Sequence, residues 1–263
     1  MPRAKATTTT KASTPRRSAA ASSNGDAGLV EAPYDLRGQI PPMTPEELEK
    51  AMQVAQTGKI VIAPVRMQVT EFRIIGTSPY VQHAFSLKAR LQMEATQRAG
   101  TQARSRKKRE ARDFEEDYKQ AQHRATKADG GWLGIPAPAF RNAMIDACRL
   151  VGFVMTKAKL SVFVEHDGID VADGTPLVKI IGEPRLHEGW GRNANGGADL
   201  RWRPMWEKWG ANVRVRWDLD QFSVTDVLNL LNRAGKQVGI GEGRPSSPNS
   251  NGLGWGLFDV LPD

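Results

Sequence analysis

Val213-Arg-Val-Arg-Trp-Asp-Leu219 alternates apolar and charged side chains, the period of a strand with one buried and one exposed face. Ser223 and Asp226 follow at capping-box spacing, and Val227, Leu228, Leu231 and Ala234 recur at helical intervals up to Gly235. A glycine-rich run then extends from Gly239 to Gly256, and Leu257-Phe-Asp-Val260 reads as a last strand. The order is therefore strand, helix, glycine loop, strand.

That order separates the glycine run from its lookalikes. A dinucleotide fingerprint places its glycines after a strand and before a helix, so that the helix N-terminus faces a pyrophosphate. Here the helix comes first, and the Gly-Lys-Ser/Thr of a P-loop is absent. No nucleotide cofactor is expected. Gly241 and Gly243 let bare backbone N–H groups approach phosphates, with Arg244 beside them. The same composition also suits a long hairpin loop with no ligand.

Working outward, residues 1–40 read as a disordered basic tail, rich in Ala, Ser, Thr and Pro, with Arg3, Lys5, Lys11, Arg16 and Arg17 and no acid before Asp26. The remainder, 41–263, reads as one domain with insertions at 76–130 and 184–212. Thr44-Pro-Glu-Glu47 starts a helix that should run to about Gln56. Val65 to Ile75 is the first core strand, ended by Gly76-Thr-Ser-Pro79. The stretch 80–130 is polar and largely helical. Its most basic point, Arg104-Ser-Arg-Lys-Lys-Arg109, is either balanced by the acids from Asp113 to Asp117 or a finger that grips nucleic acid.

Phe140, Ala143, Met144, Ala147, Cys148 and Val151 hold helical spacing over 139–152, with Arg141 and Asn142 in the first turn, where free N–H groups favour an anion. Lys159 to His166 alternates like a strand, and a short strand over 176–181 is expected to pair with it. The expected framework is strand (65–75), helix (139–152), strand (159–166), strand (213–219), helix (224–235), strand (254–260). That is the βαββαβ order of an α+β, ferredoxin-like or RRM-like core carrying large insertions.

The 263 residues carry a net charge of +8, with a pI near 9.7 and a mean hydropathy of −0.47. This balance favours a polyanionic partner. No apolar run approaches the roughly 20 residues of a membrane helix, and no signal peptide is evident, so a cytoplasm is the expected location, that of a bacterium or of a host cell if the protein is viral. The single Cys148 excludes an internal disulfide and reads as a core residue. His83, His123, His166 and His187 are scattered without metal-ligand spacing, so no metal site is expected.

Trp190, Trp202, Trp206, Trp209 and Trp217 are threaded among Arg192, Arg201, Arg203, Lys208, Arg214 and Arg216. Stacking on aromatic rings with phosphate neutralisation by Arg is the chemistry of sequence-tolerant single-strand binding. Trp217 shares its strand face with Val213 and Val215 and belongs to the core. Trp202, Trp206 and Trp209 are candidates for base contact, the alternative being packing of the insertion onto the sheet. Arg214 and Arg216 project from the other face of their strand, the face open to ligand if helices cover the Val/Trp side.

Ile135-Pro-Ala-Pro-Ala-Phe-Arg-Asn142, Gly76-Thr-Ser-Pro79 and the run from Gly239 to Gly256 resemble the corresponding motifs of the RAMP superfamily, RRM-like RNA-binding proteins of CRISPR complexes, and most closely the Cas7 backbone subunits. Ile135 and Pro136 match the family's helix entry, with Phe140 and Arg141 in place of its leucine and lysine. Ala137, Pro138 and Ala139 replace its glycine and two serines, so phosphate contacts there are not carried over. The resemblance, over residues 65–260, implies a nucleic-acid-binding sheet. It suits a stand-alone single-strand-binding protein of a phage or bacterium equally well.

The expectation is a non-enzymatic protein that binds single-stranded DNA or RNA, with copies assembling side by side along the strand. One alternative is a Cas6-type metal-independent endoribonuclease using His83 or His187. Another is a virion structural or interaction protein whose positive charge is incidental.

Overall fold

The computed structural model describes residues 44–56, 62–98, 113–192, 198–247 and 253–262. The expected basic tail, the basic run at 104–109 and the middle of the glycine-rich run lie outside them. The chain divides into a unit ending at Ile62 and a unit from Ala63 to Asp263.

In the first unit, α1 (Pro45–Gln56) begins where the capping box requires. The Thr44 N–H donates to Glu47 Oε2 at 2.9 Å, and the Glu47 N–H donates to Thr44 Oγ1 at 3.3 Å.

The second unit begins with β1 (Met67–Gly76), β2 (Tyr80–Val81), α2 (Leu87–Arg98), α3 (Phe114–Gln120), β3 (Gly134–Pro136) and α4 (Ala137–Ala147). Next come α5 (Met155–Ser161), β4 (Val162–Val164), β5 (Gly168–Ile169), β6 (Pro176–Ile181), β7 (Arg185–Arg192) and β8 (Ala198–Trp206). The chain ends with β9 (Gly210–Asp218), α6 (Val224–Arg233) and β10 (Phe258–Val260). This is a mixed α+β architecture with antiparallel sheets. No helix of the described residues is long and apolar enough to cross a membrane.

The larger sheet runs β10-β1-β9-β6-β3, with β4 also paired to β9 and β5 to β6, all antiparallel. Its spine is β1 against β9, in register from Met67↔Asp218 to Ile75↔Gly210. The alternation of β9 sends Val213, Val215 and Trp217 into the core with Phe72 and Ile74 of β1. Phe140 and Met144 of α4 and Val227 and Leu231 of α6 complete that core, their helical spacing giving each helix one apolar stripe. Opposite, Val69, Glu71 and Arg73 of β1 lie beside Arg216, Arg214 and Asn212 on the uncovered face.

Several elements differ from expectation. Lys159, Leu160 and Ser161 end α5 instead of beginning a strand, which shortens that strand to Val162–Val164. The strand β6 does not pair with it; it pairs with β3, β5 and the end of β9. The stretch expected as a loop-rich insertion at 184–212 holds a long antiparallel hairpin, β7 against β8, in a second sheet completed by β2. The last strand is three residues, with a turn ahead of it.

Candidate functional site

The glycine segment leaves α6 through a π-helical turn, Ala234–Val238, closed by the Gly239 N–H on the Ala234 carbonyl at 2.9 Å. It is then held at several points. Ile240 donates to the Gly256 carbonyl at 3.0 Å, Gly256 to the Pro79 carbonyl at 2.7 Å, Glu242 to the Val81 carbonyl at 2.9 Å, and Trp255 to the Gly243 carbonyl at 3.1 Å. Those N–H groups serve the protein itself and are not offered to a ligand. Gly241, at φ +75°, passes so close to β2 that a Cβ would lie 2.5 Å from the Tyr80 ring and 2.7 Å from the Val81 carbonyl. Gly243, at φ +73°, backs onto Trp255 in the same way. Arg244 staples the segment, donating from Nη1 to the Gly241 carbonyl at 3.0 Å and from Nε to Ser246 Oγ at 3.1 Å.

This segment forms one wall of a cleft of about 1160 Å³, and β7 and β8 contribute another. The volume exceeds the roughly 300–1,000 Å³ of small-molecule pockets and suits an extended ligand. Of the expected contact residues, Asn142, Arg201, Arg203, Gly241, Gly243 and Arg244 line it. Arg201 and Arg203 lie two apart on β8 and so share a face. Arg203 is 6% exposed and ion-pairs with the Glu242 carboxylate; Arg201 Nη1 lies 4.0 Å from the same Oε1. At the rim, Trp190 of β7 is 69% exposed.

Three histidines line the same cleft: His83, His123 and His187. His123 Nδ1 lies 2.6 Å from Oδ2 of the buried Asp170, whose Oδ1 accepts from the Ala172 N–H at 2.7 Å. Next to a carboxylate, Nδ1 is the nitrogen that carries a proton, which orients the ring with Nε2 away from Asp170. His187 meets the Trp255 ring edge-on at 5.3 Å. Burial, reinforced by the positive charges of Arg185 and Arg203, holds its imidazole below the ordinary histidine range and so favours the neutral ring. Among the described residues no group of three or more His, Cys, Asp or Glu side chains could hold a metal ion. Cys148 is buried, and burial pushes its thiol up.

The other expected residues are elsewhere. Trp206 and Trp209 are core residues, 0% and 3% exposed, packed on Tyr80 at 5.6 and 5.4 Å, with Trp209 Nε1 donating to the Ser78 carbonyl at 2.9 Å. Neither ring has a face for a base, which corrects that expectation. Trp202 is half-buried against Phe114, 5.3 Å away. Lys208 is exposed between β8 and β9. Arg192 ends β7, and its side chain lies outside the described residues.

Arg141 also departs from expectation. Because α4 starts at Ala137, Arg141 lies beyond the first turn. Its side chain donates from Nε to the Val162 carbonyl at 2.9 Å and from Nη2 to the Lys159 carbonyl, holding the end of α5. Arg214 and Arg216 do occupy the uncovered sheet face, but each has a carboxylate. Arg214 pairs with Asp167 at 2.8 Å, and Arg216 with Glu165 at 2.9 Å while lying over the Phe163 ring. On the sheet face each of these arginines thus holds a carboxylate of its own, whereas in the cleft Arg201 and Arg203 face the same one, Glu242.

Sequence reasoning missed the His123–Asp170 pair and the role of Glu242, because partners 47 and 39 residues apart leave no local spacing. Trp190 is one of the interleaved tryptophans, and nothing in the local sequence separates it from its buried neighbours. Neither a protein-family model nor a curated protein matches the sequence.

Proposed function

We propose that the chain is a non-enzymatic single-stranded nucleic-acid-binding protein with a ferredoxin-like or RRM-like core, acting in a cytoplasm. The core reading is supported by the antiparallel order β10-β1-β9-β4, with α4 between β1 and β4 and α6 between β9 and β10 in the chain. The resemblance of the Ile135–Asn142 helix entry and the glycine segment to RAMP proteins points the same way.

One observation carries the function: a single cleft gathers two arginines of one strand face, Asn142, the glycine segment and the exposed ring of Trp190. Arginines meet phosphates, and an exposed indole meets the face of an unstacked base. A duplex keeps its base faces covered, so the ligand is a single strand. The strand is assigned to the cleft, where Arg201 and Arg203 face the same carboxylate, that of Glu242, and not to the sheet face, where Arg214 and Arg216 hold one carboxylate each. Copies bound side by side would continue its path.

Trp190→Ala is expected to weaken strand binding by roughly 1–3 kcal/mol, the value of one base–aromatic stack. Because the ring is exposed, stability should change by no more than about 0.5 kcal/mol. Anisotropy titrations beside thermal melts check both. Unchanged affinity would remove the rim as a base platform.

A second reading has its own observation. His123, oriented by Asp170, shares the cleft with His187 and His83, an arrangement able to take a proton from a ribose 2′-OH. An endoribonuclease would shorten bound RNA without metal, and His123→Ala would abolish the product. Recovery of intact RNA after long incubation rejects it.

A further inference from the structure

We propose that Glu242 is a placeholder for a backbone phosphate: its carboxylate occupies the Arg201–Arg203 pair until a strand's phosphodiester group displaces it. This inference rests on the strand-binding reading above.

Arg203 is withdrawn from water and so requires an anion beside it. Glu242 supplies that charge through Oε1, which it presents to Arg203 and, at 4.0 Å, to Arg201. Its other oxygen, Oε2, is buried and has no hydrogen-bond partner among the described residues. The carboxylate is thus only half satisfied, which lowers the free energy needed to expel it. A phosphodiester has the same charge and two non-bridging oxygens, and it matches a guanidinium fork in two bonds. Arg201 and Arg203, on one strand face, present such a group with two guanidinium forks.

The surroundings permit the exchange. Gly241 and Gly243 flank Glu242 and place no side chain of their own beside it. The Glu242 N–H is bonded to the Val81 carbonyl, so the backbone stays in place while the side chain swings out. Arg201, Arg203 and Glu242 all line the cleft, so the incoming anion has access. Exchange of one anion for another keeps Arg203 paired throughout. It also rejects small anions, because only a strand with further contacts compensates for moving the carboxylate.

The test compares wild type with Glu242→Gln, using an oligothymidylate and an oligouridylate long enough to cross the cleft, at physiological ionic strength. The amide keeps the shape and removes the competing charge. Glu242→Gln is expected to bind about 5- to 10-fold more tightly, to melt lower than wild type without strand, and to regain the difference when strand is added. If wild type binds and Glu242→Gln binds equally or more weakly, Glu242 is only a structural counter-ion and this inference is overturned while the strand-binding reading stands. If wild type binds neither oligonucleotide, the strand-binding reading itself fails, and this inference with it. Should Glu242→Gln not fold, Arg201→Ala decides: a loss of about one phosphate contact from the salt dependence supports the phosphate site, and an unaltered salt slope overturns it.

Discussion

Trp217→Ala is expected to destabilise the second unit by about 3–5 kcal/mol, a large share of the roughly 5–15 kcal/mol by which domains are stable. Trp217 is fully buried near the end of β9, between Gln68 of β1 and Val162 of β4 in the register, so its ring lies on the sheet's covered face. Alanine leaves a cavity that paired strands on both sides cannot close. The indole Nε1 is also buried without a hydrogen-bond partner, so Trp217→Phe loses part of the volume while removing an unsatisfied donor. Phenylalanine should therefore cost clearly less than alanine. Urea denaturation of the three proteins measures the order; an alanine variant within about 1 kcal/mol of wild type would show that the core does not depend on this ring.

Gly256→Ala is the second large effect, and it links stability to the site. Gly256 sits at φ +70°, and a Cβ there would lie 1.7 Å from the Ile240 carbonyl oxygen and 2.8 Å from the Ile240 carbonyl carbon. Backbone cannot step aside as a side-chain tip can. Accommodation requires breaking the Ile240–Gly256 hydrogen bond that closes the glycine segment, together with a left-handed conformation that costs L-residues roughly 1–2 kcal/mol. The total is on the order of 3 kcal/mol. The segment carries Glu242 and forms a cleft wall, so strand affinity should fall with it. A differential melt and a binding titration check the pair of losses. Native stability with full affinity would mean the loop does not shape the cleft.

How much of this was legible depended on whether an element writes its environment into its own residues. The strand β9 has one core-facing side and one uncovered side, so its alternation is clear; α1 and α6 begin on capping boxes, and α6 presents one apolar stripe. The hairpin of β7 and β8 is held chiefly by pairing with itself, and Gly189 and Gly191 interrupt any alternation, so it read as loop. Lys159-Leu-Ser161 fits either period, and exposure of Leu160 in α5 shows how little the apolar residue decided there.

At the site, residue type was legible and placement was not. Arg201 and Arg203 were expected as contacts within a loop-rich insertion, and the structure instead sets them on one face of β8, beside the glycine segment. The tryptophans diverge because composition does not record which face a ring takes: Trp206 and Trp209 are core, and Trp190, sixteen residues before Trp206, is exposed. Arg214 and Arg216 occupy the expected face, yet the partners that neutralise them, Asp167 and Glu165, come from another segment. Folding brings together what spacing does not show.

The most direct test of strand binding in the cleft is fluorescence anisotropy of labelled single-stranded DNA, single-stranded RNA and duplex DNA with the purified protein across a salt series. The predicted result is preference for a single strand over the duplex, with log K falling linearly against log salt by about 0.7 for each phosphate neutralised. Absence of binding by all three probes at low salt, or equal affinity for the duplex, would contradict it.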